Sequence, residues 1–476
     1  MTARRPSKAV AFWQGVGTRF LPFADAASPD LPLGRLLRLS LFQVSVGMAA
    51  VLLTGTLNRV MIVELGLPAS IVAVMLAVPL LLAPLRVMIG HRSDGYRSVL
   101  GWRRVPYLWL GTLMQFGGLA IMPFALLLMH SQTLGPSWAG EAGAALSFLL
   151  TGLGMHMAQT AGLALATDLA AEDSRPRVVA LLYVVLLGGM VLASLAFGLL
   201  LAEFSSLRLI QVIQGAAALT LVLNVVALWK QEPRNAELAR PDRVTPSFAE
   251  VWARYRADGR TGRLLLAVAL GSAGFAMQDV LLEPYGGEIL GLDVAATTRL
   301  TALWAAGALV GFALAGRLLH RGFEMHRLAA LGALAGIAAF SAVVFAGPLQ
   351  SAALFRAGAA LIGFGGGLFA VGTMIAAMEH AKATDSGFAI GAWSAVQATA
   401  IGAALGLGGL IRDAVDGLAR SGALGTALDD PATGYSTVYH LEIGLLFAAL
   451  AVLGPLTRRR GAATNAGRIG LADLPG

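Results

Sequence analysis

Long unbroken apolar runs, rather than alternation, set the pattern of this chain. Leu39–Val63 and Ile71–Ile89 flank the Gly-Leu-Pro of Gly66–Pro68, and each holds only one to three strongly polar groups. A bilayer core of ~30 Å is crossed by ~20 apolar residues in a helix, so the two runs predict a transmembrane hairpin. The basic turn His91–Arg104 closes it. Continuing along the chain gives twelve predicted spans: 39–63, 71–89, 105–129, 143–167, 178–201, 208–229, 264–289, 296–316, 327–346, 351–379, 387–411 and 437–456. The long polar segment between the sixth and seventh, Lys230–Arg263, carries eight Lys/Arg and five Pro or Gly. The chain therefore divides into a leader (1–35), a six-span half (36–229), a linker (230–263), a second six-span half (264–456) and a tail (457–476). In the leader, Phe12, Val16 and Phe20 have the spacing of a short interfacial helix, and a partly ordered tail is the alternative. The expected fold is an all-α membrane protein, twelve transmembrane helices in two pseudo-symmetric six-helix bundles.

Composition sharpens that picture. The chain is 57% hydrophobic and 13% charged, against roughly 25% charged for a soluble domain. A net charge of +8 suggests nucleic acid in a soluble protein; here the cations are better read as holding loops on the cytoplasmic side. With both termini cytoplasmic, 29 of 35 Lys/Arg fall on the inner side. The absence of cysteine excludes disulfides, thiolate metal sites and a cysteine nucleophile. No zincin histidine pair, P-loop lysine or hydrolase serine elbow occurs, and Gly363–Gly367 lies inside an apolar span without a preceding strand.

The halves repeat. Leu65-Gly66-Leu67 matches Leu290-Gly291-Leu292, and Gly152, Gly154, Ala166 and Asp168 match Gly363, Gly365, Ala377 and Glu379. Duplicated six-span units suit a transporter-type architecture with a site between the halves. Gly90-His-Arg-Ser-Asp94, followed by Gly101-Trp-Arg103-Arg104, resembles the loop between the second and third helices of the major facilitator superfamily, with a longer segment before Gly101. Asp168, at the inner end of the fourth span, is the expected partner of Arg103 or Arg104, and Glu379 with Arg317 or Arg321 its echo. These residues form an expected conformational latch.

A narrower resemblance lies in Leu21–Ala49, Leu57–Gly66, His91–Leu127 and Gln159–Ala170. These runs resemble the PucC/LhaA family, the bacteriochlorophyll-delivery branch of that superfamily in purple phototrophic bacteria. The resemblance implies a non-enzymatic assembly factor for light-harvesting antenna complexes in the intracytoplasmic photosynthetic membrane. Bacteriochlorophyll is then its cargo, and antenna polypeptides, pigment-synthesis enzymes and membrane lipids are its partners.

A chlorin needs a flat apolar slot, a lone pair for its magnesium and donors for its carbonyls. His156, near the middle of the fourth span, is the first candidate ligand, because neutral imidazole binds metals well; a histidine bonded to a neighbouring helix is the alternative. Gln159 lies a turn away, and Gln43 and Asn58 on the first span are amide candidates, each equally suited to joining helices. Arg59, near the outer end, reads as a snorkelling anchor. Asp279 and Glu283 stand at i, i+4 on the seventh span. On one helix face they would suit proton coupling, which makes a proton-driven transporter of a small amphipathic solute the alternative function.

Overall fold

The computed structural model describes residues 31–82, 102, 104–130, 137–170, 174–232, 259–380 and 386–457, and these residues form helices and short connections without a strand. In chain order the helices are α1 Leu33–Glu64, α2 Ala69–Leu81, α3 Val105–His130, α4 Ser137–Leu169, α5 Arg175–Leu200 and α6 Ser206–Leu228. The second half supplies α7 Arg260–Glu288, α8 Val294–His320, α9 Met325–Ala346, α10 Ala352–His380, α11 Ser386–Arg420 and α12 Thr433–Leu453. Eleven of these are long and apolar enough to cross a membrane. The remaining one, α2, is the described part of the predicted 71–89 span, whose later residues lie outside the described set.

Local chemistry sets the helix starts. The Ser205 hydroxyl accepts from the Arg208 N–H at 3.2 Å, and the Asp293 carboxylate accepts from the Ala296 N–H at 2.6 Å; both satisfy donors that lack an intrahelical partner. Glu324 caps α9 in the same way, through the N–H groups of His326 at 3.0 Å and Arg327 at 2.8 Å. Partial burial works against its charge, but these bonds and the His326 imidazole hold its carboxyl below the usual range.

Two elements differ from the sequence-based expectation. Helix α11 continues past 411 to Arg420, because its end leaves the apolar layer as a charged helix closed by the Asp416–Arg420 pair at 2.8 Å. Helix α7 is broken: an α-helix ends at Ala276, Met277–Val280 is a 3₁₀ turn, and a second α-helix runs Leu282–Glu288. Asp279 and Glu283 therefore do not share a continuous helical face.

Small residues set how closely the helices approach. Gly307 on α8 faces the Ala360 carbonyl of α10, and Gly363 on α10 faces the Trp304 carbonyl of α8; a Cβ at either position would overlap that backbone oxygen. Gly307→Ala is expected to cost about 2 kcal/mol through overpacking. Gly188→Ala, where a Cβ meets nothing within 4 Å, is expected to hold or raise stability through helix propensity. Thermal midpoints of the two variants in detergent check this; equal midpoints contradict the α8–α10 interlock.

The halves meet through α2 against α11 and α5 against α8. Glycines on α11 make the first contact close: Gly409 lies over Ala73 and Ala69, and Gly402 over Leu81. One apolar core takes residues from both halves, among them Leu57, Met61 and Val72 with Val280, Leu300 and Leu405. Near the face where α1 begins and α12 ends, the cores separate. Leu36, Phe42, Leu165 and Leu182 cluster with residues of the first half only, and Leu264, Val268, Ala377 and Trp393 with residues of the second. Among the described residues the halves are thus welded at the far end and cluster separately at the near face.

Candidate functional site

The weld is polar as well as apolar. Among the described residues, the hydrogen bonds that cross between the halves all lie toward the far end. Asn58 Nδ2 donates to the Asp279 carbonyl at 3.1 Å, the Thr56 and Thr298 hydroxyls are 3.2 Å apart, and the Ser194 hydroxyl donates to the Thr298 carbonyl. Arg299 reaches the Gly198 carbonyl at 3.5 Å. The Asp413 carboxylate of α11 accepts from the N–H groups of Ala69 at 3.3 Å and Ser70 at 2.7 Å, where a negative charge also suits the start of α2. Its neighbour Arg412 binds Asp413, Glu288 and the Tyr435 hydroxyl at 3.0, 2.8 and 3.2 Å.

Arg59 is not a snorkelling anchor. It is 4% exposed, paired with Glu64, and donates to the Leu292 carbonyl of the other half at 3.2 Å. A lone cation near a span end reads as interfacial in sequence; the fold instead buries the guanidinium beside Glu64 and the Leu292 carbonyl.

The break in α7 is held from α12. The Gln278 N–H donates to Glu442 Oε1 at 2.8 Å, and Glu442 is fully buried. Glu283, 4% exposed, accepts from the Thr301 hydroxyl at 2.5 Å. It lies against α1 at Gly55, where a Cβ would come within 2.7 Å of its Oε1. The second oxygen of each glutamate is buried without a hydrogen-bond partner among the described residues. Asp279 is half-buried and bonded to the Gln278 side chain.

Of the pigment-ligand candidates, Gln43 and Asn58 on α1 lie far apart. His156 is buried on α4, its carbonyl accepting the Thr160 hydroxyl at 2.8 Å, one turn beyond Gly152, which packs on Pro79 of α2. Gln159 is half-buried. Gln43 on α1 is fully buried, and neither its Oε1 nor its Nε2 has a partner among the described residues. Asn58 is bonded across the weld and stands several turns from Gln43 along α1, beyond the π-helical stretch Val51–Leu57, too far to serve the same magnesium.

Of the expected latch residues, Gly90, Asp94 and Arg103 lie outside the described set. Arg104 Nε lies 3.0 Å from Asp168 at the near end of α4. Glu232, at the end of the first half, adds a cap that sequence reading missed: its carboxylate accepts from the N–H groups of Arg104 at 3.1 Å and Val105 at 2.9 Å. The expected echo does not form. Glu379, Arg317 and Arg321 are exposed, and no ion pair joins them among the described residues; the duplication kept the acid but not the geometry. A double-mutant cycle of Asp168→Asn and Arg104→Ala is expected to give about 1 kcal/mol of coupling in thermal unfolding. Strict additivity contradicts a working pair.

Glu442 and Arg412 also escaped sequence reading, although Glu442 is a lone charge within a predicted apolar span and Arg412 stands at the edge of another, and such groups are functional candidates by default.

Two repeated six-helix bundles welded at one end define a multi-pass membrane protein whose fold is of the major facilitator type. A solved bacterial homologue of the human lysosomal transporter Spinster superposes with TM-score 0.66 at 16% identity, covering 89% of this chain and 96% of that one. The PUCC protein family model matches residues 56–461. An uncharacterized Rhodobacter capsulatus protein from the puhA-bchM intergenic region is 56% identical over 96% of this chain and 97% of that protein. Protein PucC of Rhodovulum sulfidophilum is 55% identical over 84% of this chain and 89% of its own length. The chain belongs to the PUCC protein family.

Proposed function

We propose that this protein is a non-enzymatic assembly factor that carries bacteriochlorophyll to antenna polypeptides within the photosynthetic membrane, with both termini cytoplasmic. Family membership supports the biological setting. The structural observation that supports the reading is that, among the described residues, the two halves form separate apolar clusters at the near face beneath a welded far end. Such a fold offers a flat apolar guest a seat between the halves, reached sideways from lipid. His156 is assigned as the axial ligand to magnesium, and Gln43, a fully buried amide without a partner among the described residues, as the donor to a ring carbonyl. One neutral ligand holds the pigment weakly enough for an antenna helix to replace it. Arg104 and Asp168, with Gly90, Asp94 and Arg103 in the preceding loop, act as the conformational latch.

Affinity purification from phototrophic membranes tests the role. Antenna polypeptides and bacteriochlorophyll are expected to elute with the protein; the protein eluting alone contradicts it. The buried carboxyls of Glu283 and Glu442 beside Asp279 favour one second reading, proton-coupled transport of a small amphipathic solute. That reading predicts proton-dependent flux in proteoliposomes, abolished by Glu283→Gln.

A further inference from the structure

A cavity of about 630 Å³ opens on the near face between the start of α1 and the end of α6, lined by Arg35, Arg38, Trp102, Lys230, Gln231 and Glu232. We propose that it binds the phosphate headgroup of an anionic phospholipid. No pigment or antenna role depends on this site, and none of its residues belongs to the weld or the pigment seat.

Its depth comes first. Helix α1 has 32 residues, against the ~20 that cross a hydrocarbon core of ~30 Å. Its first turns therefore stand in the headgroup layer. Trp229, 60% exposed at the end of α6, and Trp102 mark the same level, where aromatic side chains gather. Leu37, 45% exposed beside Arg38, gives an acyl chain an apolar surface to run along.

The cavity is also built, not incidental. Gln231 is fully buried and clamped to Arg35 three times. Its Oε1 accepts from Arg35 Nε at 3.1 Å, its carbonyl accepts from Arg35 Nη2 at 2.6 Å, and its Nε2 donates to the Arg35 carbonyl at 3.2 Å. This clamp follows directly on Lys230, whose φ of 54° is a left-handed conformation that disfavours any residue with a Cβ. Strain of this kind persists where surrounding structure enforces it and gathers at binding sites.

Charge supplies the ligand class. The acid in the lining, Glu232, is turned onto the N-terminus of α3, bonded to the Arg104 and Val105 N–H groups. Among the described residues neither Arg38 nor Lys230 has an acidic partner, and Arg38 Nε is buried without a hydrogen bond. Two uncompensated cations at headgroup depth match a phosphodiester, which the arginine fork binds through paired N–H groups. A bound headgroup would brace α1 and α6 beside the Arg104–Asp168 pair.

The test is thermal stability of delipidated protein in detergent, titrated with phosphatidylglycerol, phosphatidylcholine or inorganic phosphate, with native mass spectrometry of retained lipid. Phosphatidylglycerol is expected to raise the midpoint and to stay bound, while phosphatidylcholine and inorganic phosphate do neither. Arg38→Gln with Lys230→Gln is expected to weaken the phosphatidylglycerol effect by on the order of tenfold or more. Lys230→Gly separates binding from folding: it removes the charge yet suits the left-handed backbone, so the lipid-free midpoint holds or rises while the lipid effect falls. An undiminished phosphatidylglycerol effect in Lys230→Gly and Arg38→Gln overturns the site. A midpoint shift produced equally by inorganic phosphate overturns the lipid assignment.

Discussion

Arg412→Ala is expected to lower stability by about 3 kcal/mol, the scale of breaking a buried ion pair from one side. The Arg412 side chain is 9% exposed and holds Glu288 and Asp413 at 2.8 and 3.0 Å, with the guanidinium 4.6 Å from the centre of the Tyr435 ring. Its loss strands two carboxylates and loosens Asp413, which caps α2 across the weld. The expected fall in thermal midpoint is on the order of 5 °C in detergent. Arg412→Lys keeps the charge but not the fork, so an intermediate loss is expected. A midpoint for Arg412→Ala within 1 °C or so of the parent, on the same scale, contradicts the weld as an energetic unit.

His156→Leu carries the second large effect. Removing a metal ligand, or even its supporting partner, weakens metal affinity by on the order of tenfold or more, so co-purified bacteriochlorophyll per protein is expected to fall by a similar factor. His156→Gln, which keeps a lone pair, should retain more pigment than His156→Leu. The thermal midpoint of pigment-free protein should move little in either variant. Unchanged pigment in His156→Leu removes the ligand assignment and shifts attention to Gln43.

Much of the architecture is legible in the sequence because hydrocarbon leaves few options. Only helices satisfy their own backbone in lipid, so run length alone locates the spans, and the repeat of Leu65-Gly66-Leu67 at Leu290-Gly291-Leu292 announces the two halves. The contact of Arg104 with Asp168 is legible in part, because opposite charges at the same end of neighbouring spans have few other partners. What stayed hidden depends on residues far apart in the chain. The break in α7 is held by Glu442, 164 residues beyond Gln278, and hydropathy does not register a 3₁₀ turn. Arg59 looked interfacial because Leu292, 233 residues away, is brought to it only by the fold. Glu379 looked like a second Asp168 because repeats conserve letters longer than contacts. The end of α11 escaped because Asp416 and Arg420 make a helix that a hydropathy window ends early.

The pigment reading separates most sharply from the transporter alternative in one spectrum. Protein purified in mild detergent from phototrophically grown cells, freed of antenna polypeptides by a further chromatographic step, is measured in the near infrared against its own 280 nm band. The carrier account predicts a bacteriochlorophyll band near stoichiometric with the protein and diminished in His156→Leu. A flat near-infrared baseline from folded, monodisperse protein contradicts it.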